Sequence, residues 1–107
     1  MLIRDGAARL LIFASLAAAA PAQSPPLEVR ARTILTANCE ACHGQARMSD
    51  FDVRAIDSML KGGKRGPAVV PGKSAESLLY RAVQQTGELK MPPGKTPLAP
   101  ADVDDVR

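Results

Sequence analysis

Apolar positions along the chain form one continuous run near the start and several short periodic patches after it. The run, Leu10 to Ala20, spans eleven residues broken only by Ser15, and it follows a start, Met1 to Arg9, that sets Arg4 and Arg9 against Asp5. It is well short of the roughly 20 apolar residues that a bilayer span requires. A basic start, a short apolar run and the small residues of Ala20-Pro21-Ala22 have the layout of a secretory leader. Residues 1–22 are therefore read as a signal peptide cleaved after Ala22, and no Cys sits just after the run to take a lipid. The expected product is periplasmic or otherwise exported, with no transmembrane span after cleavage.

After a short lead, residues 23–29, the pattern becomes helical. Leu27, Ala31, Ile34, Leu35 and Asn38 recur at helical spacing, with Glu28, Arg30 and Arg32 left for solvent, which predicts a helix delivering the chain to Cys39. Small polar residues from His43 to Asp50 predict a loop, and the alternation at Phe51 to Val53 is too short for a stable strand. Ala55 to Lys61 predicts a second helix with Ile56, Met59 and Leu60 on one side, stopped at Gly62-Gly63. Four Gly and two Pro punctuate Gly62 to Gly72 around Ala68-Val69-Val70, so an ordered but irregular loop is expected there. Ser74 stands as an N-cap for a third helix carrying Leu78, Leu79, Ala82 and Val83, ended by Gly87. A loop from Glu88 to Pro97 contains Met91-Pro92-Pro93-Gly94, and Pro100 to Arg107 begins a last helix with Val103 and Val106 on one side. The fold class is all-α, with three to four short helices.

Composition shows that this core is too small on its own. The chain has 107 residues, enough for one small domain, and its only aromatic residues are Phe13, Phe51 and Tyr80. The 85 residues after Ala22 would bury roughly 60–65% of their unfolded surface, a marginal fraction without reinforcement. Cys39 and Cys42 lie only three positions apart, so a disulfide between them would constrain the unfolded chain very little. Something other than side chains is expected to supply core volume.

Cys39-Glu40-Ala41-Cys42-His43 is a C-x-x-C-H sequence, the attachment pattern of c-type haem. Two thiols at this spacing can add across the two vinyl groups of one porphyrin, and the adjoining His is then placed to bind the iron from the same face. Structural zinc requires four ligands, whereas the chain holds two Cys and a single His. A thioredoxin-like pair requires a strand feeding a helix, and here a helix leads into the motif. With no second His, the opposite iron face falls to methionine. Met1 leaves with the leader, Met48 is five residues from His43 and too close to reach round a porphyrin, and Met59 lies on an apolar helical face. Met91 remains, 48 residues beyond His43 and stiffened by Pro92 and Pro93. Pro67 to Ser74 differs from a phosphate-binding G-x-x-x-x-G-K-[ST] loop at its first position, but Pro67 and Pro71 lack the N–H groups such a loop needs, so no nucleotide is expected.

With Cys39 to Gly44, Lys61-Gly62-Gly63, Gly66-Pro67-Ala68-Val69-Val70-Pro71-Gly72, Ser77-Leu78-Leu79 and Met91-Pro92-Pro93, the sequence resembles the planctomycete-type cytochrome c domain over about residues 30–107. The resemblance implies a small cytochrome c-like fold around one covalently attached haem c. It implies thioether attachment at Cys39 and Cys42, proximal iron ligation by His43 and distal ligation by Met91. Members of this family usually carry the last helix further, to an aromatic residue that packs on the first helix, so a helix truncated at Arg107 is expected. Such domains often precede larger domains of other function.

The expected role is electron transfer by a monohaem carrier, not an enzyme, with Val69 and Val70 supplying apolar contact to the haem. A haem module of a larger exported enzyme and a thiol-disulfide oxidoreductase stand as alternatives. Loss of residues 1–22 takes the charged residues from 14 basic and 11 acidic to 12 and 10, a net charge of +2. Residues 61–95 hold Lys61, Lys64, Arg65, Lys73, Arg81, Lys90 and Lys95 against Glu76 and Glu88, and residues 96–107 are net acidic. A basic rim suits redox partners with acidic docking surfaces. Nucleic acid is not expected, since the chain has neither a basic helix nor a set of stacking aromatics.

Overall fold

The computed structural model describes residues 10–21, 23–94 and 96–107. The basic start Met1–Arg9, the cleavage position Ala22 and the rim residue Lys95 lie outside the described residues. Among the described residues, five short α-helices carry the fold, one more than the upper expectation, because the motif segment coils into a helix of its own: α1 (Leu27–Asn38), α2 (Glu40–His43), α3 (Ile56–Lys61), α4 (Leu78–Gln84) and α5 (Pro100–Val106). Among the described residues there is no strand, only a single antiparallel bridge between Gly63 and Gly66.

α1 begins behind Pro26, whose extended backbone sets the entry, and Glu28 in the first turn suits the positive end of the helix. It ends where Cys39 leaves helical geometry, although the Cys39 N–H still donates to the Leu35 carbonyl at 2.9 Å. α3 stops where the periodicity placed the stop, at Gly62 with φ +72°. Its expected apolar side is a different matter, since Ile56 is 57% and Leu60 37% exposed. A six-residue helix contributes here through its backbone: the Met59 carbonyl accepts the N–H groups of Ala68 and Val69 at 3.0 and 3.2 Å.

The third predicted helix is shifted. Ser74–Glu76 forms a separate 3-10 turn, and α4 starts after Ser77. Ser77 is buried, and its hydroxyl accepts the Val70 N–H at 2.9 Å while donating to the Lys73 carbonyl at 3.1 Å. The side chain thus braces the preceding loop instead of capping its own helix. The Ala68 carbonyl takes over at the helix start, accepting the Leu79 N–H at 2.9 Å. At the other end, Gln85 adopts a left-handed conformation (φ 59°) and closes α4 before the expected stop at Gly87.

α5 opens on Pro100, whose missing N–H is no loss in a first turn. It lies against α1 and α4 around Ile34, Val83 and Leu98, with Tyr80, Val103 and Val106 packed on that cluster. Arg30 of α1 clasps Asp105 of α5 in a two-pronged ion pair, Nε to Oδ2 and Nη2 to Oδ1, both at 2.9 Å. Three buried side chains make a small core, as the composition implied. The apolar run before Gln23 adds nothing to it: Leu10, Leu11, Ile12, Phe13 and Leu16 are all at least 76% exposed. No helix among the described residues is long and apolar enough to cross a membrane.

Candidate haem site

The remaining buried apolar residues, Val53, Ala68 and Ala82, lie outside that core cluster and line a cleft that is partly open to solvent. Cys39 and His43 stand on one wall; Leu78, Leu79, Val83, Leu89 and Met91 line it as well.

The Cys39–His43 wall is built by one turn of helix. The His43 N–H donates to the Cys39 carbonyl at 2.9 Å, so residues four apart share a face and both side chains reach the cleft. Cys42, one residue short of that register, is half-buried and outside the lining. The His43 ring is then fixed from behind. Its Nδ1 lies 2.9 Å from the Met48 carbonyl, an acceptor only, so Nδ1 carries a proton and, in the neutral ring, Nε2 is the nitrogen with the free lone pair. Phe51 stands beside it with ring centroids 5.2 Å apart, and the Val53 N–H donates to the His43 carbonyl at 2.7 Å. Metal-binding histidines are commonly oriented by such a bond from the second ring nitrogen.

Met91 is brought to the cleft from another direction. Its N–H donates to the Ala82 carbonyl at 3.0 Å, near the end of α4, and Gln85 Nε2 donates to the Met91 carbonyl at 3.4 Å. Neither of the other described methionines lines the cleft: Met48 is 56% exposed and Met59 is half-buried beneath the 66–72 loop.

Residues 39–95 match the family described as Planctomycete cytochrome C. The chain belongs to this family. No curated protein and no solved structure matches it. The family is one of haem-based electron transfer, and its cofactor is haem c. The cleft of this planctomycete cytochrome c domain suits such a group: it is largely apolar, with sulfur donors and an imidazole nitrogen held ready on its lining. Burial pushes the Cys39 thiol above its ordinary range, and the neighbouring Cys42 adds to the shift.

Two expected contacts lie elsewhere. Val69 and Val70 line a separate cleft with Tyr80 and Val106, so neither adds to the haem-site wall. Their place is taken by Ala68, one residue earlier, and by Leu79 and Ala82 of α4. The reason is the Ser77 bond to the Val70 N–H, which ties Val70 to the α4 side. Sequence reasoning also missed the Met48 carbonyl, a backbone group that no residue identity advertises, and Phe51, noted only as part of an abortive strand.

Proposed function

We propose that this domain is an exported single-haem electron carrier in which Cys39 and Cys42 form thioethers, His43 is the proximal ligand and Met91 the distal one. The observation that carries the reading is the orientation of His43: Nδ1–H is spent on the Met48 carbonyl, and the ring shares an apolar cleft with Cys39 and Met91. Bound haem supplies a one-electron ferric/ferrous couple, and Met/His ligation raises its potential. The chain's part is to hold Nε2 and a thioether sulfur on the lining of one cleft, and to surround them with the apolar side chains of Val53, Ala68, Ala82 and Val83. A haem held by both His43 and Met91 would leave oxygen or peroxide no open iron to bind, which favours electron transfer over catalysis.

The basic residues outside the cleft, Lys61, Lys73, Arg81 and Lys90, are exposed and suit partners with acidic surfaces. Transfer rates to such a partner fall as ionic strength rises; rates independent of salt would remove this part of the reading. The decisive measurement is made on the exported protein produced in a host competent for cytochrome maturation. Expected are a Soret band, sharpened visible bands on reduction, and a mass gain of one haem. A colourless product with two titratable thiols would overturn the proposal in favour of thiol-disulfide chemistry.

A further inference from the structure

Among the described residues, the haem-site cleft carries charge at one place only. Among its lining residues, Lys64 and Arg65 are the sole permanently charged side chains, adjacent in sequence at the tip of the Gly63–Gly66 turn. No Asp or Glu lines the cleft, and neither cation enters an ion pair among the described residues. Two unpaired cations at the rim of an apolar cleft are complementary to a flat apolar ligand that ends in carboxylates.

The turn is also built to hold its position. The Lys64 N–H donates to the Ser49 carbonyl at 2.9 Å, and the Gly66 N–H donates to the Gly63 carbonyl at 3.0 Å. Gly62 takes φ +72°, and a Cβ there would overlap the Gly66 carbonyl. A Cβ on Gly63 would run into the Ser49 carbonyl and Phe51. The turn is thereby seated on the segment 48–51, whose Met48 carbonyl and Phe51 ring hold His43. Cations and imidazole belong to one framework, so a porphyrin held by His43 would meet Lys64 and Arg65 along one edge.

We propose that Lys64 and Arg65 bind the two propionate carboxylates of the haem and so set its rotational placement in the cleft. This rests on the electron-carrier reading and adds to it which edge of the group points to the 63–66 turn. Arg65 offers a fork of donors suited to a carboxylate, and Lys64 a point charge beside it. The other ionisable groups facing the turn are Arg47, Asp50 and Lys61, which share a shallow depression with Lys64 on its outer side.

The test follows the midpoint potential of the exported holoprotein against pH, since titration of a haem carboxylate bends that curve. Two adjacent cations hold the carboxylates ionised, so the wild type shows no bend above about pH 4, the ordinary carboxylate range. In K64Q/R65Q the bend moves up by about 1 pH unit or more. K73Q/R81Q, which removes the same charge away from the cleft, leaves the curve as in the wild type. A wild-type bend above about pH 4 that persists in D50N overturns the proposal without any need for the double variant to fold. Equal curves for the two double variants also overturn it. A normal Soret band with either result leaves electron transfer standing, whereas a wild type without a Soret band removes both readings.

Discussion

The two sides of the cleft are held in opposite ways. His43 is fixed by its own stretch of chain, residues 39–53: the helical turn from Cys39, the Met48 carbonyl on its ring, the Phe51 ring beside it and the Val53 N–H on its carbonyl. Met91 sits in a loop of no regular structure and is tied through its main chain alone, to Ala82 and Gln85. One side is preorganised by local chain, and the other depends on α4 being in place. Ligand loss on the two sides should therefore differ in kind.

The largest effect is expected from His43→Ala, which removes the chain's only imidazole. Loss of an outer-shell partner alone costs about 10–100-fold in metal affinity, and loss of the ligand itself should exceed that. Holoprotein yield, read as Soret absorbance per unit of exported protein, should fall by more than tenfold. If Cys39 and Cys42 form thioethers as proposed, Met91→Ala should leave the haem mass on the chain, because both cysteines belong to the His43 turn and not to the Met91 loop. It should open the sixth position, lower the potential and give a high-spin spectrum. An unchanged spectrum in Met91→Ala would mean that the second ligand comes from elsewhere and that the two-sided picture is wrong.

The same contrast governs what could be read from sequence. The C-x-x-C-H geometry is local, so spacing alone carried Cys39, Cys42 and His43 to their turn, and the apolar period of α1 was enough to find Leu27–Asn38. Met91 was reached by elimination among four methionines, a chemical argument and not a structural one. Failures came where a tertiary bond overrode a local signal. Ser74 has the N-cap profile, but Ser77 starts the helix because its hydroxyl is needed by Val70. Val69 and Val70 are the bulkier residues of their loop, yet Ala68 faces the cleft because its N–H and carbonyl are held by Met59 and Leu79. The apolar side of α3 stays exposed because no element packs over Ile56.

Ser77 is the next test, because it braces the loop before α4 and makes no bond to the His43 turn. Ser77→Ala leaves the Val70 N–H without its partner in a buried setting, which costs about 1–3 kcal/mol. Denaturant unfolding of the holoprotein should show that loss, and the spectrum of the folded protein should keep its His43 features. A change below about 0.5 kcal/mol would mean that water or a shifted Lys73 turn replaces the hydroxyl, and that the loop is not braced as described.

The smallest effect belongs to the ion pair that joins the two ends of the fold, and its signature is pH. Asp52 and Asp105 both have arginine partners that hold their carboxyls low, Asp52 at about 2 through Arg54 and Asp105 below its ordinary range through Arg30. Arg54 is two residues from Asp52, so much of that attraction survives in the unfolded chain and cancels from stability. Arg30 and Asp105 are 75 positions apart and meet only when α1 and α5 pack. A carboxyl whose folded pKa is depressed stabilises the fold above its unfolded value of about 3.9, and that contribution fades as pH falls through the folded value. Asp105→Asn should therefore lower the unfolding midpoint at pH 7 by less than Ser77→Ala does, and the gap from wild type should close in acid. Asp52→Asn should show a smaller gap at every pH despite the stronger shift of its carboxyl. A gap for Asp105→Asn that stayed constant from neutral pH into acid would show that the pair contributes packing and not charge.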